Sequence, residues 1–503
     1  MITTACLVCT ACYVLHRRTR TAIIVGEAMD LIDRMYVEPV QSKDLLNAAL
    51  SGMTQTLDPN SEFIAPRQYT SFQSSIEQEF AGIGIYIAAG VIDDATGNRG
   101  PVRVITPLVG SPALEAGLLP GDEIIKVDGE DVSGLDIEAM SERLRGPIGT
   151  RVQVDVRRKD SNGTDDRNVV EDDDATLEIV TLTVLRDTIE LESVIGDYRD
   201  ENNEWVYRLQ SHPEIAYVRL TSFGDKTVKE LERVLQNVNP NLDGLILDLR
   251  GNGGGLLDAA VEVSDMFLTE GKIVSTRVRG GRLEKENFAT EATLVDIKQS
   301  VAVLIDGNSA SASEIVAAAL QDNDRATIIG ERSFGKGTVQ QILPLQYGRS
   351  ALRLTVAKYL RPNGRNIHRD PDDDEQDDWG VRPNPGYEIS IKPEVMARLQ
   401  QLWQQSSYPS LRQDSFRTAD LVPVTSDASA NDTNPTPQNA AVIPDGATAW
   451  DLDSVLQKAV EVVAGSNSTV GDVPASVVPV PSNADAAANK KRRPRERDHV
   501  AGV

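Results

Sequence analysis

The sequence predicts a multidomain α+β chain: an N-terminal helical segment, a β-rich domain, an α/β layered core and a disordered C-terminal tail. Three observations predict it. The 503 residues leave room for several hydrophobic cores. The spacing of apolar residues shifts along the chain from helical steps, to short strands, to strands alternating with helices. From Ser406 onward the composition turns to Ser, Thr, Asn, Asp and Pro, which bury too little apolar surface to hold a core.

Residues 1–24 form the first segment. Its apolar stretch, 1–15, is followed by His16, Arg17, Arg18 and Arg20. It is too short to span a bilayer alone and lacks basic residues ahead of the apolar run. We read it as the remainder of an export signal or membrane anchor. Cys6, Cys9 and Cys12 all lie here, so the rest of the chain has neither a disulfide framework nor a cysteine-based zinc site.

Residues 25–80 repeat apolar positions at three- and four-residue steps: Met29, Ile32, Met35, then Leu45, Leu46, Ala49, Leu50, Met53. The turn Leu57-Asp58-Pro59-Asn60 precedes a further short helix at 69–76. Residues 81–186 read as strands at 83–88, 102–105, 123–127, 151–157 and 180–185, with helices at 112–116 and 137–144. The acidic run from Asp165 to Asp174 is an extended hairpin loop.

Residues 187–400 form the layered core. Strands are expected at 216–220, 244–250, 301–305, 326–329, 338–345 and 352–360, and helices at 226–238, 256–268 and 313–321. A closing helix at 451–464 presents Leu452, Leu456, Ala459 and Val463 on one face. Between them, 401–450 is expected to be a disordered insertion, and 465–503 a disordered tail.

The chain has 51 Lys and Arg against 76 Asp and Glu, a net charge of −25. This excludes a nucleic-acid-binding body, which needs a basic stripe. The basic run Lys490, Lys491, Arg492, Arg493, Arg495, Arg497 is confined to the tail and reads as solvated.

Three glycine- or serine-rich sites remain. Gly330 to Thr338 approaches a P-loop, but Gly337 follows Lys336 where Mg²⁺ binding needs Ser or Thr, and Pro344 bars a helix beyond it. Nucleotide binding is not expected. Gly251-Asn252-Gly253-Gly254-Gly255 ends a strand and opens a helix, with Leu256 where a dinucleotide fingerprint needs Gly. Its N–H groups suit an anion, either a phosphate or the oxyanion of acyl transfer. Taken alone, a tight strand-to-helix turn is the favoured reading. Ser309-Ala310-Ser311-Ala312-Ser313-Glu314 also starts a helix. Ser311 and Glu314 form a capping box, the favoured reading taken singly, and that position also serves a nucleophile through the dipole and free N–H groups.

A nucleophilic serine needs a base. The four histidines His16, His212, His368 and His499 give no sign of a Ser-His-Asp arrangement. A lysine kept neutral by burial is the alternative, and Lys336, flanked by glycines between two apolar strands, is the candidate. Alone it reads as a turn lysine.

The combination is more specific. Tyr36-Val-Glu-Pro39, Leu57-Asp-Pro59, Phe80-Ala-Gly-Ile-Gly-Ile85, Gly110-Ser-Pro-Ala113, Gly117-Leu-Leu-Pro-Gly-Asp122, Leu247-Asp-Leu-Arg250, Ser309–Glu314 and Phe334-Gly-Lys-Gly-Thr-Val-Gln340 occur in one order. From about Tyr36 to Leu360 the chain resembles the carboxyl-terminal processing peptidases, or tail-specific proteases. The resemblance implies a serine endopeptidase with a ClpP/crotonase-like core and a PDZ-like domain at 81–186. It makes Ser311 the nucleophile, Lys336 the base and Gln340 the residue that orients the lysine. The oxyanion hole falls on the N–H groups of Ala312 and of the Gly254/Gly255 turn; Gly253 stands where the family often has Pro. Gly82, Ile83, Gly84 and Ile85 would bind the carboxylate of a peptide that adds to the next strand.

Implied substrates are proteins or peptides with free C-termini, cleaved without metal or cofactor. With the N-terminal segment, the resemblance implies export to a bacterial cell envelope or periplasm. The insertion Asp165–Asp174, the acidic loop Asp370–Asp378 and the tail are extras to the family pattern. Asp322 matches a family position, and pairing with Arg325 at the helix end accounts for it. Two rivals stand beside the protease: a binding scaffold using only the PDZ module, and a coenzyme A-dependent enzyme on a related layered fold.

Overall fold

The computed structural model describes residues 22–90, 92, 99–159, 177–238, 242–345, 350–408 and 447–465. The cysteine-bearing segment 1–15, the acidic run Asp165–Asp174, the basic run at 490–497 and most of the expected insertion lie outside the described residues.

Four strands form the centre of the core: Ile215–Leu220, Gly244–Asp248, Ser300–Ile305 and Thr327–Gly330 pair in parallel in that order. Val194–Ile195 adds an antiparallel edge. Parallel strands covered on both faces carry continuous apolar runs, as in Leu245-Ile246-Leu247 and Val301-Ala302-Val303, all buried. Helices Thr227–Asn237, Leu257–Asp265 and Ala312–Asp322 cover the face carrying Leu245, Leu247, Val301 and Val303. On the other face Ser454–Gly465 seats Val455, Leu456, Ala459, Val460 and Val463 against Ile246, Ala302 and Leu304.

The closing helix therefore docks as its apolar stripe requires, but it is broken at Asp453, between Ala449–Leu452 and Ser454–Gly465. The Asp453 carboxylate caps the second piece, accepting from Leu456 N at 2.9 Å. It also pairs at 2.9 Å with the buried Arg250, which pairs with the buried Asp248. Two carboxylates around one guanidinium offset the cost of burying it.

A second sheet runs Glu62–Ile64, Ala351–Leu360, Lys272–Val278, Leu283–Phe288, with Thr338–Pro344 also paired to Ala351–Leu360. The Lys272–Val278/Leu283–Phe288 hairpin falls outside the sequence expectation because Leu283–Phe288 is charged and exposed, without apolar alternation. Among the described residues, the β-rich unit has six strands in one sheet, ordered Ile85–Ala88, Val102–Pro107, Glu123–Val127, Arg151–Lys159, Leu177–Leu185, with Glu130–Asp131 beside Glu123–Val127. Glu79–Gly82 and Asp187–Glu190, which lead into and out of it, pair as a separate two-stranded neck.

Two expectations are corrected. Helix Pro393–Ser407 continues past residue 400, where the insertion was expected to begin. Its Trp403 ring takes the Arg219 guanidinium at 4.0 Å and that of Arg250 at 4.9 Å, so cation–π contacts order a polar segment. Asp322 does not pair with Arg325. It accepts from Arg361 at 2.5 and 3.1 Å, while Arg325 donates to the carbonyls of Phe267, Asp296 and Gln299. The N–H donors of Arg325 are spread over these three carbonyls, and the Arg361 guanidinium occupies Asp322 instead.

Candidate active site

Ser311 sits at the head of helix Ala312–Asp322 with φ 56° and ψ −111°. A non-glycine residue at positive φ costs about 1–3 kcal/mol and persists only where its surroundings hold it. Its two serine neighbours do the holding. The fully buried Ser309 donates to the Leu249 carbonyl at 2.8 Å and Ser313 to the Asn252 carbonyl at 2.8 Å, while Ala310 N donates to Asn252 O at 3.0 Å. The outer serines of the Ser-Ala-Ser-Ala-Ser run thus fasten the helix start to the glycine turn, and the half-buried middle one faces a cavity.

The capping-box reading of Glu314 captures only part of its role. Its side chain is fully buried, and one oxygen accepts from Ser311 N at 2.8 Å and Lys336 N at 2.8 Å. The other accepts from Ser333 Oγ at 2.6 Å and Gly335 N at 2.7 Å.

The lysine loop lies between strands Thr327–Gly330 and Thr338–Pro344. Gly335 has φ 88°, and a Cβ there would stand 2.9 Å from Arg369 Cβ and 3.0 Å from the Trp379 ring; one on Gly337 would meet His368 N at 2.4 Å. Both glycines are needed for the loop to press against 366–379. Lys336 is half-buried, and desolvation holds its ammonium below the ordinary lysine value, with the Arg353 charge acting the same way and Glu314 and Glu62 opposing.

Gly254 and Gly255, at φ 101° and 151°, close the third side. A Cβ on Gly254 would lie 2.8 Å from Ser311 Cβ and 2.9 Å from Ala312 N. Gly254 N donates to Asn252 Oδ1 at 2.9 Å, so that amide is already engaged. Phe223 pairs with Gly255 through Phe223 N to Gly254 O (3.0 Å) and Leu256 N to Phe223 O (2.7 Å), so the Gly255 amide points away from that strand.

One cavity of about 360 Å³ is lined by Ser311, Ala312, Lys336, Gln340 and Gly253 to Gly255 together, with Phe72, Ile76, Leu256, Ile315 and Val339 as apolar wall. Among the described residues, no histidine lines it. A larger open depression of about 830 Å³, near Glu270, Lys298 and Arg325, contains none of the expected site residues.

Gln340 lines the cavity, but its Nε2 donates to Thr338 Oγ1 at 2.8 Å and Thr355 Oγ1 at 3.2 Å. Thr355 in turn donates to Asp58 at 3.1 Å, so the Leu57-Asp58-Pro59 turn supports the strand bearing Gln340. Tyr359 is absent from the sequence reading. Its buried hydroxyl donates to the Lys336 carbonyl and hydrogen-bonds the Ser311 side chain. Only the strand register, with Tyr359 N on Gly337 O at 3.1 Å, brings it there.

In the β-rich unit, Gly82 and Ile83 are buried and Gly84, at φ 77°, separates the neck from strand Ile85–Ala88. The carbonyls of Ile83 and Gly84 accept from Ala113 N at 2.9 Å and Leu108 N at 3.0 Å. Among the described residues, strand Ile85–Ala88 lies at the sheet's edge and pairs with Val102–Pro107 alone.

Fold and site together define a serine peptidase that carries a small β-rich module on its layered core. Residues 214–384 match the model of peptidase family S41, and residues 103–158 that of the PDZ domain. The chain is 36% identical to a carboxy-terminal-processing protease of Bartonella bacilliformis, covering 68% of this chain and 71% of that one. It is 33% identical to the carboxy-terminal processing protease CtpA of Bacillus subtilis (69% and 66% covered) and 34% identical to a carboxyl-terminal-processing protease of Synechocystis (67% and 72%). The chain belongs to the carboxyl-terminal processing peptidases of family S41.

Proposed function

We propose that the chain is an endopeptidase that receives protein C-termini in its PDZ domain and cleaves near them through a Ser311–Lys336 dyad. The observation that carries the reading is the single cavity shared by Ser311, Lys336 and the glycine turn. Neutral Lys336 accepts the hydroxyl proton as Ser311 Oγ attacks the peptide carbonyl. The oxyanion is stabilised by the N–H groups of Ala312 and of the glycine turn, where Gly255 is favoured because Gly254 is engaged by Asn252. The amine leaves with the proton, and water then hydrolyses the acyl-enzyme. Gln340 steadies the lysine side of the cavity from its strand.

For recognition, the position of Ile85–Ala88 at the sheet's edge among the described residues supports β-augmentation, and the backbone of Gly82 to Ile85 supports docking of the terminal carboxylate. In the test, a serine-reactive fluorophosphonate labels the enzyme, and labelling is lost in Ser311→Ala. Ser311→Ala and Lys336→Ala each abolish cleavage of a peptide ending in a free apolar residue, and amidating that terminus raises KM. Cleavage surviving either substitution refutes the dyad; a KM unmoved by amidation refutes carboxylate recognition.

A further inference from the structure

Gln78 joins helix Pro66–Glu77 to the neck strand Glu79–Gly82, and nothing in its sequence context marks it. It is 2% exposed and has φ 56°, the conformation that favours glycine. The reason for keeping a side chain there lies across the fold. Gln78 Nε2 donates to Ser222 Oγ at 3.1 Å and Thr227 Oγ1 at 3.2 Å, and its Oε1 accepts from Lys226 N at 3.0 Å. Its own carbonyl accepts from Leu191 N at 2.9 Å. A Cβ on Gly224 would lie 2.2 Å from Gln78 Cδ, so the segment Ser222 to Thr227 is wrapped around this one amide.

That segment contains Phe223, whose backbone makes both hydrogen bonds to the Gly254–Gly255–Leu256 turn. Gly255 can approach so closely only because it lacks a Cβ, which would sit 2.0 Å from Phe223 O. A continuous set of short contacts therefore runs from the Gln78 amide through Phe223 to the turn beside Ser311.

We propose that Gln78 is a positioning residue that sets the oxyanion turn against Ser311. It does not face the reacting atoms itself. A buried amide with three hydrogen bonds on its side chain fixes Ser222 to Thr227 in one place, and Phe223 transmits that place to the Gly255 N–H. The inference rests on the Ser311 and glycine-turn assignment proposed above.

The test compares a peptide aldehyde with the matching peptide alcohol as inhibitors of the full chain. The aldehyde forms a bond from Ser311 Oγ to its carbonyl carbon. The carbonyl π pair becomes an oxyanion in the hole, and the hydroxyl proton passes to Lys336. The alcohol binds without an adduct. Wild type prefers the aldehyde and Ser311→Ala does not; if either statement fails, the site assignment falls and the positioning role falls with it, whereas with both upheld the Gln78 comparison tests the positioning role alone.

Gln78→Met keeps the bulk and removes the amide. It lowers the aldehyde preference about tenfold or more, in line with partial loss of an oxyanion donor, and leaves alcohol inhibition within about twofold of wild type, as the ground state makes no such contact. Ser222→Ala, which removes one acceptor, moves the ratio in the same direction by less, and carries the test alone if Gln78→Met does not fold. An unchanged ratio, or equal weakening of both inhibitors, overturns the proposal.

Discussion

Glu314 and Lys336 are joined by a hydrogen bond at the base of the site: the Lys336 backbone N–H donates to Glu314 Oε2 at 2.8 Å, the same oxygen that accepts from Ser311 N. One buried carboxylate thus locates the main chain of both members of the proposed dyad. Burial pushes its carboxyl above the ordinary range, and its four donors oppose that shift. Glu314→Gln presents an amide NH₂ to sites where only donors converge. Expected are a fall in kcat/KM of about 100-fold, from displacement of reacting groups, and a stability loss of about 1–3 kcal/mol from unsatisfied buried donors. Peptide kinetics and urea unfolding read the two effects. A variant with native activity would show that the carboxylate does not set the dyad geometry.

The pH profile tests the base. A lysine that accepts a proton must be neutral, so kcat/KM rises with pH through the Lys336 pKa, which burial and Arg353 hold below the ordinary lysine value of about 10.4. Arg353 lines the cavity and pairs with Glu62 at 3.1 Å. Removing the positive charge in Arg353→Gln moves the rising limb to higher pH. Removing the opposing charge in Glu62→Gln moves it lower. Profiles of the three enzymes should order as Glu62→Gln, wild type, Arg353→Gln; coincident limbs would detach Lys336 from the titration.

Stability carries the same signature with its own sign. The folded-state pKa of Lys336 is depressed, so the unfolded chain binds this proton more readily. Folding stability linked to Lys336 is fully present above the unfolded pKa and falls as pH drops toward the folded one. Lys336→Met lacks the penalty. It should be inactive and should unfold at higher denaturant than wild type at pH 7, with the difference shrinking by pH 10. A difference independent of pH would assign the gain to packing alone.

Much of this was legible along the chain, and the pattern of what was not is physical. Strands such as Glu123–Val127 and helices such as Ile137–Leu144 stand where their periodicity places them. The serine run, the glycine turn and the Phe334 to Gln340 stretch are local, and the fold brings them to one cavity. Tyr359, Thr355 and Arg353 were illegible because they reach the site only through the register of Ala351–Leu360 against Thr338–Pro344. Glu314 was visible only as a helix cap, since its bonds to Ser333, Gly335 and Lys336 cross about 20 residues of sequence. Gln78 gave no signal at all: a buried glutamine at positive φ has meaning only once Ser222, Lys226 and Thr227 surround it.

Gly254 offers the sharpest separation of catalysis from folding. A methyl group there would sit 2.6 Å from Ala310 O, 2.8 Å from Ser311 Cβ and 2.9 Å from Ala312 N, on a backbone at φ 101°. None of these neighbours is a flexible chain end, so in Gly254→Ala the turn must move away from the helix start. The three atoms the methyl would meet first all belong to the helix start, Ala310 to Ala312, and none to a bulky core side chain. The variant should therefore keep a cooperative unfolding transition, losing about 1–3 kcal/mol to backbone strain, while kcat falls about 100-fold or more because the proposed oxyanion donors are displaced. The peptide KM should change far less than kcat, because the displaced donors act on the transition state. Equal loss in KM with kcat preserved would place the turn in substrate binding, and remove it from the oxyanion hole.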